Sequence, residues 1–171
     1  MEFFEVLKAR HSIRAFQARA VEEEKLHSIL NAVNGAPSAG NLQSYEVYLS
    51  RGAERAAALA RATFHQDFVA QAPVVLVFCT HAARSAAQYG ERGAQMYSMQ
   101  DATIACTFAM LAATALDLAT VWIGAFDPEA VRKVIGAPPE HVPVAVLPVG
   151  YPGQEPELTT RRALSELVHE I

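Results

Sequence analysis

Arg10-His11-Ser12-Ile13-Arg14 places two guanidinium groups, an imidazole and a hydroxyl within five consecutive residues. Arginine offers a planar fork of donors and serine a short one, so this set can grip a phosphate or another oxyanion. Cations just past a helix also offset the negative end of its dipole, and the residues alone leave both readings open. Ala36-Pro37-Ser38-Ala39-Gly40-Asn41-Leu42-Gln43 is a run of small and amide residues that can bring backbone and amide groups against a ring edge; it also reads as a Pro-Ser cap or an ordinary turn. Trp122-Ile123-Gly124-Ala125-Phe126 ends with small residues whose N–H groups can face a ligand, or simply turns the chain. Together the three segments suit a flat, anionic ligand.

Other chemistries lose their usual support. No GxGxxG follows a strand, and neither a GxxxxGK[ST] phosphate loop nor a GxSxG elbow is present. The six histidines, at 11, 27, 65, 81, 141 and 169, form no i,i+4 pair and no Cys/His cluster, so no metal site is expected. A net charge of −4 and a pI near 5.8 argue against nucleic acid or an anionic membrane as partner. Cys79 and Cys106 lie in apolar stretches without CxxC spacing, as buried free thiols do, and a reducing cytoplasm is the expected compartment. The segment MEFFEVLKAR lacks the pattern of a secretory leader. Ala102 to Leu116, the most apolar stretch, is shorter than the roughly 20 residues of a spanning helix.

The elements that must position these segments follow from periodicity. Met1 to Arg10 reads as a short helix with Phe3, Leu7 and Val6 inward. A second helix from about Val21 to Val33 carries Leu26, Ile29, Leu30 and Val33 at helical spacing, with Asn34-Gly35 as a left-handed stop. Tyr45 to Leu49 and Val74 to Cys79 read as strands, the second central, with an alanine-rich helix from Ala53 to Ala62 between them. The pattern from about Tyr97 to Leu118 is apolar nearly all round, which predicts a helix wrapped on most sides. Thr120 to Ile123 is a strand, and Asp127-Pro128 caps a short helix that stops at Gly136. Val142 to Val149 is a last strand whose prolines, 143 and 148, point to an edge or a bulge. Beyond it lies a polar tail ending in Leu164, Leu167, Val168 and Ile171, a candidate for wrapping onto another subunit. No linker or repeat divides the chain, so residues 1–171 are read as one domain, with apolar content of 51% leaving room for an interface.

Taken in order, these motifs resemble the FMN-binding nitroreductase family over nearly the whole chain. Arg10 to Arg14 matches its R-[RH]-S-[IV]-R signature and Ala36 to Gln43 its A-P-S-x-x-N-x-Q motif. Gln100-Asp101-Ala102, Trp122 to Asp127 and Pro148-Val149-Gly150-Tyr151-Pro152 follow in sequence. The resemblance implies an α+β fold: a central, mostly antiparallel sheet flanked by helices, a long buried core helix, and a C-terminal arm exchanged in a homodimer.

It also implies residue roles. Arg10, His11 and Ser12 would bind the flavin phosphate and the nearby ring edge, and Arg14 would lie at N1 and O2, where its charge favours reduced flavin. Pro37, Ser38, Ala39 and Asn41 would come from the opposite subunit, supported by Gln43. Ile123 and the N–H groups of Gly124 and Ala125 would face the ring at N5, Arg161 would reach the phosphate with Arg162 as its substitute, and Gln66 would touch the ring. The implied activity is NAD(P)H-dependent reduction of nitroaromatics, quinones or related small acceptors by a ping-pong cycle. Rivals on the same fold are dehalogenation, enone reduction, azoline oxidation and flavin fragmentation; others are a non-catalytic FMN-binding module and a cofactor-free helical dimer. Where many members have Gln-Pro-Trp this chain has Gln43-Ser44-Tyr45, which predicts a less rigid loop, and 171 residues leave little room for the insertions that shape substrate pockets.

Overall fold

The computed structural model describes residues 1–171. Its sheet grows from Val74–Thr80 (β2), an unbroken apolar run capped by one threonine and buried along its whole length. Tyr45–Arg51 (β1) pairs with one side of β2 and Pro143–Gly150 (β4) with the other, and Ala119–Thr120 (β3) pairs with the far side of β4, giving the order β1-β2-β4-β3. Every strand pair is antiparallel. A parallel bridge from Ser12 to Thr120 extends the β3 edge.

Strand alternation sends successive side chains to opposite faces and so divides the core in two. Leu76, Phe78, Ala145 and Leu147 pack with Leu26, Ile29 and Val33 of Glu23–Asn34 (α2) and with the inner stripe of Ser98–Ala115 (α5). Val75, Val77, Cys79 and Val146 pack with Leu59 of Ala53–Ala62 (α3) and Val131 of Pro128–Ile135 (α6). Asp127 caps α6 by accepting from the N–H groups of Glu129 and Ala130 at 2.9 and 3.1 Å. The helix stops at Gly136, whose φ of 68° suits a residue without Cβ.

Several expectations change. The first helix spans Phe3–Ala9 (α1) and buries only Val6; Phe3 and Leu7 are 61% and 44% exposed, because nothing in this chain lies over that face. Gly35 ends α2 with φ −81°, right-handed rather than left-handed. The strand expected through Ile123 leaves the ladder after Thr120 and touches β4 again only at the Ile123–Val146 bridge. β4 is an interior strand, not an edge. Val146 exchanges both backbone bonds with Ile123, so alternation turns the nitrogen of Pro148 to the same side, where the chain after Thr120 has left the ladder and no acceptor needs a donor. The expected irregularity does occur at Pro143, where the register with β2 shifts.

The long helix is also longer and less uniform than its apolar run. Ala82–Arg92 (α4), polar and not assigned from sequence, breaks at Gly90 (φ 58°, ψ −144°), which folds Gly93 back against Ser85 and Tyr89; a wide π turn at Gly93–Tyr97 then leads into α5. α5 buries Asp101, Ala102, Ala105, Cys106, Ala109 and Ala113, while Ile104, Phe108 and Leu111 on its other face stay half-buried in the single chain. No helix is long and apolar enough to cross a membrane. After Tyr151 the chain runs exposed to Ile171, with Leu158, Leu164 and Val168 at 80, 76 and 63% exposure.

Candidate functional site

The loop before β1 is held by a buried carboxylate. Asp101, 1% exposed in the first turn of α5, accepts the N–H of Ala39 at 3.0 Å on one oxygen and the N–H of Ser44 at 3.2 Å on the other. Ser38 Oγ accepts the N–H of Gln43 at 3.0 Å, and the Gln43 amide donates to Asn41 Oδ1 at 2.7 Å and to the Asn41 carbonyl. The chain pays for this compactness in backbone strain: Asn41 and Gln43 sit at φ 56° and 46°. Gly40 is left-handed as well, and a Cβ there would come within 2.5 Å of the Tyr89 hydroxyl. Ser44 and Tyr45, where many members of the family have Pro-Trp, each anchor the end of the loop by a hydrogen bond. The Ser44 N–H binds Asp101, a bond proline could not make, and Tyr45 donates its hydroxyl to the Val33 carbonyl at 2.8 Å.

The basic segment lies along the opposite edge of the sheet. The Ile13 N–H donates to the Thr120 carbonyl at 3.1 Å and its side chain is buried, which fixes Ser12 beside Thr120 and leaves Arg14 outward. Arg10 and Arg14 form no ion pair and no intramolecular side-chain hydrogen bond. On the same edge Ile123 is buried, whereas Gly124 and Ala125 are exposed with N–H groups that find no acceptor in the chain. Gln66 braces this turn by donating to the Ala125 carbonyl at 3.1 Å and the Thr63 carbonyl at 2.9 Å. The preceding Phe64 and His65 are both left-handed, at φ 56° and 60°.

The structure therefore joins some of the expected residues and separates others. Arg10, His11, Ser12 and Arg14 share an edge with Ile123, Gly124 and Ala125. Pro37, Ser38, Ala39, Asn41 and Gln43 lead into β1, four strand spacings from the Ser12 segment, about 19 Å across the sheet. They also sit at the opposite end of the strands from Ser12, since Tyr45 pairs with Thr80 whereas Thr120 pairs with Val149 next to Val74. Arg161 hydrogen-bonds to Thr159 and Thr160 within the exposed tail, and Arg162 pairs with Glu166.

Sequence reasoning missed two features. Asp101 stands in the Gln100-Asp101-Ala102 motif, which by itself assigns it no task; its sequence signal is a lone carboxylate entering an apolar run. Glu46, His81 and His141 converge at neighbouring strand ends, contrary to the expectation that no metal-binding cluster forms. Spacing rules for adjacent ligands cannot reveal a set drawn from three separate elements.

The open groove beside the loop, about 1200 Å³, is bordered by Pro37, Ser38 and Ala39 and by the exposed Met96 and Met99. The sequence profile of the Nitroreductase family matches residues 7–65 and 51–151. The chain is 29% identical to an NADH dehydrogenase of Thermus thermophilus over 93% of its own length and 91% of the relative's. It is 30% identical to an FMN reductase [NAD(P)H] of Bacillus subtilis over 88% of its own length and 66% of the relative's. The crystal structure of nitroreductase A from Vibrio parahaemolyticus superposes with a TM-score of 0.89 at 26% identity, covering 98% of this chain and 74% of that one. With the motifs, the fold and the family profile in agreement over most of its length, the chain is a member of the nitroreductase family of oxidoreductases.

Proposed function

We propose that the chain is an FMN-dependent oxidoreductase that takes electrons from NAD(P)H and passes them to nitroaromatic, quinone or related small acceptors. The observation that carries this reading is the donor set on the β3 edge: Arg10 and Arg14 without counterions beside two backbone N–H groups without acceptors. Unpaired guanidinium groups fit a phosphate and an electron-rich ring edge, and free N–H groups fit a ring nitrogen. When bound, FMN would supply the two-electron redox chemistry. Arg10, His11 and Ser12 would hold the phosphate end, and Arg14 would place positive charge at the pyrimidine end. With no separate nucleotide fingerprint in the sequence, donor and acceptor would use one space in turn, a ping-pong cycle.

The remaining half of the site would come from a second copy. One chain leaves the Pro37–Gln43 loop remote from the arginines, while Phe3, Phe4, Met96 and Met99 form apolar surface with nothing over it. Paired copies would cover that surface and bring Ser38, Ala39 and Asn41 to the partner's Arg10 and Arg14. The tail would carry Arg161 to a phosphate in the same way. The setting is a reducing cytoplasm, in keeping with two free cysteines.

Purified protein tests the reading directly. It should be yellow, release FMN and not FAD on denaturation, and oxidise NADH or NADPH when a nitroaromatic or quinone is added. Colourless protein that also fails to bind added FMN contradicts it.

A further inference from the structure

Glu46, His81 and His141 come from three neighbouring strand ends on the rigid sheet. Glu46 is the second residue of β1, His81 follows the last residue of β2, and His141 precedes β4 by two positions. The positions are fixed by backbone bonds: the His81 N–H donates to the Ser44 carbonyl at 2.9 Å and the Thr80 N–H to the Val142 carbonyl at 2.9 Å. One ligand atom from each side chain lies within 4.8 Å of the other two. The His81 Nδ1 and Glu46 Oε1 are 2.8 Å apart, and the imidazoles stand 5.0 Å apart between ring centres.

We propose that these residues form a site for a divalent first-row transition-metal ion, Zn²⁺ or one of its neighbours, made by side chains other than those proposed to bind flavin. Two imidazoles and a carboxylate are borderline N/O donors, which suit such ions, whereas Mg²⁺ and Ca²⁺ prefer oxygen alone. Ligands opposed across a metal with bonds of about 2.1 Å are at most about 4.2 Å apart, so closure needs roughly half an ångström of side-chain movement. Tyr48 Oη lies 2.7 Å from His141 Nδ1 and orients that ring, leaving Nε2 as the metal-binding nitrogen, as outer partners of ligating histidines do. The side chains of His81 and Glu46 are 25% and 34% exposed, so an ion can enter and retain water in its remaining positions. Arg84, 4.0 Å from Glu46, is the opposing charge; its other contact is the Gln43 carbonyl at 3.2 Å, toward which it can turn.

The bound ion would cross-link three strand ends, so its signature is binding and stabilisation. Tag-free flavin-loaded protein, stripped with EDTA, is titrated with Zn²⁺, Co²⁺, Ni²⁺ and Mg²⁺ by calorimetry and by dialysis with elemental analysis. One Zn²⁺ per chain, a higher melting temperature with Zn²⁺ and no uptake of Mg²⁺ are expected. His81→Gln and His141→Gln should each weaken binding more than tenfold, and Tyr48→Phe by roughly tenfold. Wild-type protein that takes up no Zn²⁺, or takes up Mg²⁺ equally, overturns the proposal. So does uptake that persists in the His81→Gln/His141→Gln double variant, which would locate the ion on other histidines.

Discussion

At the scale of single residues, charge separates two tasks that the basic segment could perform. Arg14 is exposed and unpaired, so its proposed work is electrostatic. Arg14→Gln should lower the two-electron flavin potential by about 30 mV, the equivalent of about 1.4 kcal/mol, and slow reduction by NAD(P)H. Arg10→Gln should instead weaken FMN retention roughly tenfold to a hundredfold, the loss of one charged hydrogen bond of about 1.5–3 kcal/mol. Spectroelectrochemistry and flavin release measure the two separately. An Arg14 variant with unchanged potential and full FMN occupancy contradicts its assigned role. Asp101 acts on the loop instead of the ligand. In Asp101→Asn the amide nitrogen would face one of the two backbone donors now bound at 3.0 and 3.2 Å. The expected loss of stability is about 1–3 kcal/mol, or about 2–4 °C in Tm for each kcal/mol, together with faster flavin loss. Arg10 to Arg14 and Ala36 to Gln43 were legible in sequence because each is a contiguous string of unusual composition. The task of Asp101 was not, since its two partners lie 62 and 57 positions away.

Elements were legible where one chain supplies all their packing. Periodicity located α2, alanine content located α3, and β2 stood out as a continuous apolar run, because α2 packs with α5 on one face of the sheet and α3 with α6 on the other. Periodicity misjudged the inner face of α1, whose exposed aromatics meet each other, and it passed over α4, which is polar and folds back at Gly90 to place Tyr89 against Tyr97. β3 was overextended because an apolar segment beside a sheet need not keep its register.

Tyr151 ties the end of β4 to α2 and gives that junction a pH dependence. Its hydroxyl donates to Glu22 at 2.7 Å and accepts from Lys25 at 3.0 Å, while the Arg19 guanidinium lies 3.7 Å from its ring centre. The Tyr151 hydrogen bond is the first cause that holds the Glu22 carboxyl down from 4.5 to about 2. A depressed carboxylate stabilises the fold fully above its unfolded value and loses that contribution as pH falls toward 2. Tyr151→Phe should therefore shift the onset of acid unfolding to higher pH, as read by circular dichroism; an unchanged acid limb would show that the junction contributes nothing. The two cysteines offer a second check on element packing. Burial pushes the Cys79 thiol up to about 12 and raises Cys106 as well. Neither should react with a thiol reagent in native protein at pH 8, and both should react once it is unfolded; rapid native labelling of either would mean that β2 or α5 opens.

At the scale of the whole molecule, the proposed site draws on segments that one chain keeps apart, so the proposal requires assembly. The apolar face of α1, the half-buried face of α5 and the exposed tail are all surface that a second copy can cover. Obligate dimer interfaces commonly bury more than roughly 2,000 Å². Removal of residues 158–171 should weaken dimerisation and FMN occupancy together, as followed by light scattering and flavin absorbance; a truncated protein that keeps both would exclude the tail from the site. The shared site itself is tested most directly by complementation. One subunit carries Arg10→Gln and Arg14→Gln, the other Ser38→Ala and Asn41→Ala, and the two are coexpressed with different affinity tags so that mixed dimers are isolated. Each parental dimer should bind little FMN. If each site takes its arginines from one copy and its loop from the other, the mixed dimer regains one intact site and binds one FMN per dimer. A mixed dimer as empty as both parents would show that each chain builds its site alone.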